Sequence, residues 1–257
     1  MPVFFRAYVF IFINLILLNT TFLTADLGCP PYVPEHVYEQ LKPYFLPEQH
    51  PIRKKLDKIF ASSDVLKNDE TLRKADFKTT GAKGCSKVII LKHKKIKNYL
   101  IKAYTDESHE IIDWEKWMKR IQGSIVINSV IEQYGFQQSF KVPKKWIYQV
   151  LRDANLEKHF VLVVEDMDIF DQRGNSIRWK GTKHITKEKL HALTVIMNEA
   201  GLKDSVYLNN IPFSLDDKIA FVDTEHFHCW PVPLYKITSF LNIKLQTYWT
   251  SLIQQHP

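Results

Sequence analysis

Two neighbouring stretches decide the fold: Lys203-Asp204-Ser205-Val206-Tyr207-Leu208-Asn209-Asn210-Ile211-Pro212-Phe213 and Lys218-Ile219-Ala220-Phe221-Val222-Asp223-Thr224-Glu225. Apolar runs on both sides of Ser214-Leu215-Asp216-Asp217 predict two short strands joined by a turn. The open ends of such a hairpin lie on one side. Asp204, one of Asn209 and Asn210, and Asp223 are therefore expected at a common edge. A cluster of carboxylate and amide oxygens suits Mg²⁺, a hard cation usually held by one or two carboxylates together with substrate phosphates.

Upstream, the chain alternates between the two hydrophobic periods. Lys187 to Ala200 carries apolar residues at 190, 193, 196 and 197 and ends at Gly201, a helix with its stop signal. It delivers the chain to Asp204. A second, longer helix is expected from about Ile112 to Tyr134, ended by Gly135 and carrying a broad apolar stripe. Before it, Lys87 to Leu91 and Tyr99 to Tyr104 read as strands that pair antiparallel across a turn at Lys92 to Lys97. After it, Phe140 to Tyr148 and His159 to Val164 read as two more, the second running into Glu165-Asp166-Met167-Asp168. Asp171 to Asn175 reads as a turn, and Leu234 to Ile253 as one or two helices.

The order Asp, then Asn, then hairpin, then Asp resembles the catalytic and metal loops of the protein-kinase-like superfamily. There the first Asp orients the acceptor hydroxyl while the Asn and the second Asp hold metal. Asp223-Thr224-Glu225 is similar to the D-x-E metal loop of aminoglycoside-phosphotransferase-like kinases. Leu100-Ile101-Lys102-Ala103 resembles the V-A-I-K strand, which makes Lys102 the residue on the nucleotide phosphates. Gly81 and Gly84 would stand for the glycine-rich loop, Glu115 for the helix acid that pairs with the strand lysine, and Glu165 for the hinge that receives adenine. Arg120 is the other charge of that helix expected to face inward.

The resemblance implies an α+β, two-lobed kinase-like fold, with an antiparallel N-lobe sheet and a shortened helical C-lobe. It implies ATP and Mg²⁺ as cofactors, Asp204 and Lys102 as catalytic residues, and Asn209, Asn210 and Asp223 as metal ligands. The acceptor, a protein or a small molecule, is left open. The chain departs from the kinase pattern in having Leu202-Lys203 where His-Arg belongs, no A-P-E, and only a short tail after Glu225. A catalytically inactive kinase-like protein, an exported binding module that keeps the scaffold, is therefore the second reading.

The remaining features bound the class. Hydrophobic content of 45% in 257 residues is enough for a sizeable core. A formal charge of +7 favours solubility or a phosphate-bearing ligand, and no nucleic-acid-binding pattern accompanies it. Cys29, Cys85 and Cys229 are too few for a disulfide framework. Residues 1–25 combine Arg6, an apolar run and Thr24-Ala25, the layout of a secretory signal peptide or, if uncleaved, a membrane anchor. A secreted or membrane-anchored protein is expected, touching membrane only through that segment. Residues 26–76 read as a proline-containing extension with short helices, and 77–257 as the kinase-like domain. Asp223-x-Glu225-His226-x-His228 also suggests a transition-metal site, but in an extended strand its acids and histidines would face opposite sides.

Overall fold

A five-stranded antiparallel sheet forms the centre of the N-terminal half of the computed structural model, which describes residues 28–80 and 87–255. Its strands are β1 (Lys78–Thr79), β2 (Ile89–Lys92), β3 (Tyr99–Ala103), β5 (Lys145–Gln149) and β6 (Phe160–Glu165), in the order β1-β2-β3-β6-β5. The expected pairing of the Lys102 strand with its predecessor is present, with Ile89 opposite Ala103 and Ile90 opposite Lys102. Pro143 interrupts the expected 140–148 strand, because proline cannot donate to a ladder. The stretch divides into β5 and a two-residue β4 (Phe140–Lys141), which pairs parallel with β7 (Ile219–Ala220).

Period-2 alternation sorts the sheet residues between two apolar layers. Ile101, Ala103, Tyr148, Val161 and Val163 pack on one face with Leu56, Phe60 and Leu72. Those last residues come from helices α2 (Arg53–Ile59) and α3 (Asp69–Lys74), the latter started by Asn68, whose side chain accepts from Glu70 and Thr71 amides. On the other face Ile147, Phe160, Leu162 and Val164 meet Trp117 and Ile121 of the long helix α4 (Asp113–Gln133). Val37, Tyr38 and Leu41 of helix α1 (Glu35–Leu41) join this second layer. The central strand β6 is thus apolar on both sides. Each fully buried side chain of this kind stabilises the fold by about 1.5–3 kcal/mol.

The proline-containing extension packs directly on the sheet. Phe45 bridges Ile147 in parallel, Leu46 N donates to Ile147 O at 2.8 Å, and Tyr32 Oη donates to Asp113 at 2.9 Å. The extension therefore covers the β5 edge.

A separate core lies on the C-terminal side. It joins the far end of α4 to helix α6 (Lys187–Ala200), helix α7 (Ile243–Gln254), a 3-10 segment at Leu234–Phe240 and the region of the hairpin. Thr186 caps α6, and Gly201 closes it in the left-handed conformation at φ 60°, where a side chain would also meet the backbone of His228 and Cys229. Two expectations are corrected here. Asp171 to Asn175 is not a turn. Asp171 caps helix α5 (Gln172–Lys180) through Gly174 N, and buried Trp179 anchors that helix. Ser205 to Ile211 is not a strand but a series of turns, with Asn210 N donating to Tyr207 O at 2.9 Å and the Asn210 side chain to Asp204 O at 2.8 Å.

Candidate functional site

The turn at Ser214–Asp217 is present, with Ser214 N on Lys218 O and Asp217 N on Ser214 O, both at 2.9 Å. Beyond it Ala220 N donates to Pro212 O at 2.8 Å and Val222 N to Asn210 O at 3.0 Å. Asn210 is thereby held beside Val222, immediately before Asp223. Its side chain donates back to Asp204 O at 2.8 Å. Asp204, Asn210 and Asp223 do share one edge. Asn209 is exposed next to them.

Lys102 approaches the same edge from the sheet. Ile101 and Ala103 face the α2–α3 layer, so period 2 turns Lys102 to the α4 side, together with Lys145 of β5. Lys102 Nζ donates to Val222 O at 3.3 Å. Lys145 Nζ donates to Thr224 Oγ1 and, at 3.4 Å, to Arg120 O. From α4, Arg120 places Nη1 3.2 Å from Asp223 Oδ1 and Nη2 2.8 Å from Glu225 Oε2, while Lys116 Nζ reaches Glu225 Oε1 at 2.8 Å. Gly123, one turn further along, lets the backbone of Thr224 lie against the helix. A Cβ there would stand 1.8 Å from Thr224 O.

The result is a buried charged layer in which cations outnumber acids. Lys102, Arg120 and Lys145 are 7%, 3% and 6% exposed, and they share Asp223 and Glu225 with the half-exposed Lys116. Burial and the nearby Arg120 push the Lys102 ammonium down to about 8. Burial, with repulsion from Lys102 and Arg120, holds Lys145 well below the ordinary lysine range. Burial works against ionisation of Asp223, but Arg120, Lys102 and Lys145 outweigh it and keep the carboxyl below its usual range. Glu225 is lowered in the same way, burial being overcome by Lys116 and Arg120. Asp223 Oδ1 is buried and faces Arg120 Nη1 in the 3.2 Å ion pair, while Arg120 Nε is buried without a hydrogen-bond partner. A buried unpaired donor such as Arg120 Nε costs about 1–3 kcal/mol.

The other expected residues fall as follows. Glu115 lies on the outer side of α4 and pairs with Lys119 at 2.7 Å; Arg120 is the buried charge of this helix that reaches Asp223 and Glu225. Glu165 ends β6, its Oε2 accepting from Lys144 N at 3.0 Å. Gly81, Gly84 and Cys85, like residues 1–25, lie outside the described residues. Lys116 and Lys145 were not singled out from sequence, and His226 was considered only as a transition-metal ligand. For Lys145 the signal was available, since it precedes Ile147 by two positions on an apolar strand face.

His226 Nδ1 lies 2.8 Å from Asp204 Oδ2. His228, with φ 52°, stacks on Trp230 at 5.6 Å, so the segment is not the extended strand considered in the sequence. Among the described residues no group of three or more His, Cys, Asp or Glu could hold a metal ion. Mg²⁺ asks for less, and the Asp223 carboxylate, the amide oxygen of Asn210 and ligand phosphates would form a fitting donor set, with the cation sharing Asp223 with Arg120. Two open surface depressions lie elsewhere, one bordered by Asp76, Lys92, His93 and Tyr99 and one by Asp171, Arg173 and Ile177. Neither includes a residue of the charged layer. No protein-family model matches the chain, and no curated protein is similar enough to it to be counted as a relative. Among the described residues no helix is long and apolar enough to cross a membrane.

Proposed function

We propose that the chain is an ATP- and Mg²⁺-dependent phosphotransferase of the protein-kinase-like superfamily, exported or membrane-anchored through residues 1–25. The observation that carries this reading is the convergence of a buried strand lysine, Lys102, with Asp223, Asn210 and Asp204. A sheet residue and a loop cluster separated by 120 positions in the chain meet at Val222. Surplus buried cations support a polyanionic ligand, because bound phosphates would supply the countercharge that Asp223 and Glu225 only partly provide. In this reading the five-stranded sheet and the C-terminal helical core are the two lobes, and the acceptor is a protein or small-molecule hydroxyl.

Lys102 would neutralise phosphate oxygens, and Asn210 and Asp223 would hold Mg²⁺, with exposed Asn209 available beside them. When bound, Mg²⁺ would spread the negative charge that develops on the transferred phosphoryl group. Asp204, half-exposed at the rim, would orient the acceptor hydroxyl. Glu165 and the turn after it would form the adenine side, and Gly81 and Gly84 the phosphate loop. Arg120 and Lys116 fix Glu225, which keeps the Asp223 backbone in place.

Asp223→Asn separates this role from a structural one. ATP at one hundred times its dissociation constant should stabilise the parent by about 2.7 kcal/mol in the presence of Mg²⁺. The variant should lose the Mg²⁺-dependent part of that gain while its ligand-free melting temperature changes little. A variant that is stabilised by Mg-ATP like the parent removes the phosphotransferase assignment. The inactive binding-protein reading, which Leu202-Lys203 in place of His-Arg favours, then takes its place.

A further inference from the structure

His226 is placed by anchors on both sides. Before it, Thr224 and Glu225 are fixed by Lys145, Arg120 and Lys116, and Ser124 Oγ lies 3.3 Å from Thr224 Oγ1. After it, His228 N donates to Ala200 O at 2.8 Å and Cys229 N to Gly201 O at 2.9 Å. The two residues between these anchors, His226 and Phe227, have little freedom, and they carry the imidazole over Asp204. Asp204 is itself held by the Asn210 side chain on its carbonyl. With Nδ1 on the carboxylate at 2.8 Å, the ring's other nitrogen points away from Asp204, and the side chain is 53% exposed. A carboxylate that fixes one ring nitrogen and so orients the other is the arrangement by which histidine acts as a general base. An ordinary surface ion pair contributes about 0–1 kcal/mol and does not require both partners to be tied down in this way.

We propose that His226 is the proton acceptor for the phosphoryl acceptor and that Asp204 is its orienting partner, an inference that rests on the phosphotransfer reading above. The acceptor oxygen forms a bond to the γ-phosphorus of ATP. The bond from that phosphorus to the β,γ-bridging oxygen breaks, and its electron pair leaves with ADP. The acceptor proton passes to Nε2 of His226 and afterwards to solvent. This assignment gives the chain a base without the His-Arg that precedes the aspartate in the kinase pattern. It also lets the proton acceptor arrive with the metal loop, three residues beyond Asp223.

The test uses ATP with water as acceptor, followed by release of inorganic phosphate from the full chain, and measures Mg-ATP binding separately by thermal stabilisation. His226→Ala should lower kcat by 10²–10⁴-fold, the usual contribution of general base catalysis, with Mg-ATP affinity within twofold of the parent. Added imidazole should restore at least tenfold of the loss, a response that a purely structural side chain does not give. Asp204→Asn should lower kcat with the histidine still present, and imidazole should not rescue it. If His226→Ala keeps the parent rate, or if its loss resists imidazole, the proposal is overturned and Asp204 acts alone. A parent that binds Mg-ATP but releases no phosphate also overturns it while leaving the nucleotide site standing. A parent that does not bind Mg-ATP removes the phosphotransferase reading first, and this inference with it.

Discussion

Gly123→Ala is expected to destabilise the chain by about 3 kcal/mol, although the same change in an ordinary helix interior would stabilise it by up to about 1 kcal/mol. The reversal follows from one distance. An added Cβ would lie 1.8 Å from Thr224 O, and the nearest atoms are backbone, which cannot swing aside as a flexible side chain would. Either α4 or the Asp223-Thr224-Glu225 segment has to move. The helix is held along its length by Trp117, Ile121, Ile127 and Ile131 in two cores, so the segment is the part expected to yield. Its displacement would break the Glu225 pairs with Arg120 and Lys116 and the bond from Lys145 to Thr224. Mg-ATP stabilisation should disappear together with the loss of melting temperature. A Gly123→Ala chain that melts at or above the parent temperature would show that Thr224 does not press on the helix.

Lys102→Met should act in the opposite direction on stability while abolishing nucleotide binding. Lys102 is 7% exposed, and burial together with Arg120 lowers its ammonium from the ordinary 10.5 to about 8. Below pH 8 the amine is charged in both the folded and the unfolded chain, and the cost of burying it is fully felt. Between pH 8 and 10.5 the folded chain gives up its proton first, so this group makes stability rise with pH across that window. Methionine removes the charge and keeps the length of the side chain. The variant should be more stable than the parent by about 2 kcal/mol at pH 7, after allowance for the lost hydrogen bond to Val222 O. The advantage should shrink as pH rises from 8 towards 10.5. Melting curves of both chains from pH 6 to 10 check this, and parallel curves would show that Lys102 is not charged and buried at neutral pH. A residue retained at a cost in stability is what a ligand-binding role requires.

The elements legible in the sequence were those with long, regular periods and punctuation. Helices α4 and α6 run close to their expected bounds because Gly135 and Gly201 mark their ends. The pairing of β2 with β3 and the meeting of Asp204, Asn210 and Asp223 were likewise readable from a turn between apolar runs. Helix α5 was missed because Arg173-Gly174-Asn175 is rich in turn formers. Its stability comes from Asp171 at the cap and Trp179 in the core, a tertiary contribution that local composition does not express. The choice of Arg120 over Glu115 was also hidden. Both lie on α4, and which of them faces inward depends on where Glu225 arrives from more than a hundred residues away. Lys145 was readable from strand alternation alone, but its partner Thr224 was not.

The extension over the β5 edge has a bearing on synthesis. Residues 28–46 leave the ribosome well before the sheet they pack on, for Leu46 waits for Ile147 and the Tyr32 hydroxyl for the amide of His159, 127 positions later. At about 5–20 residues per second, the extension spends roughly 6–25 s without its partners. Through that interval Val33, Val37 and Leu41 have no apolar layer to enter, and α1 is too short to persist unaided. Within the sheet only β5 has to wait, since the later β6 inserts between it and β3. The extension can therefore close only after β5 and the start of β6 have been made, and a chain begun at residue 77 would leave the β5 edge uncovered.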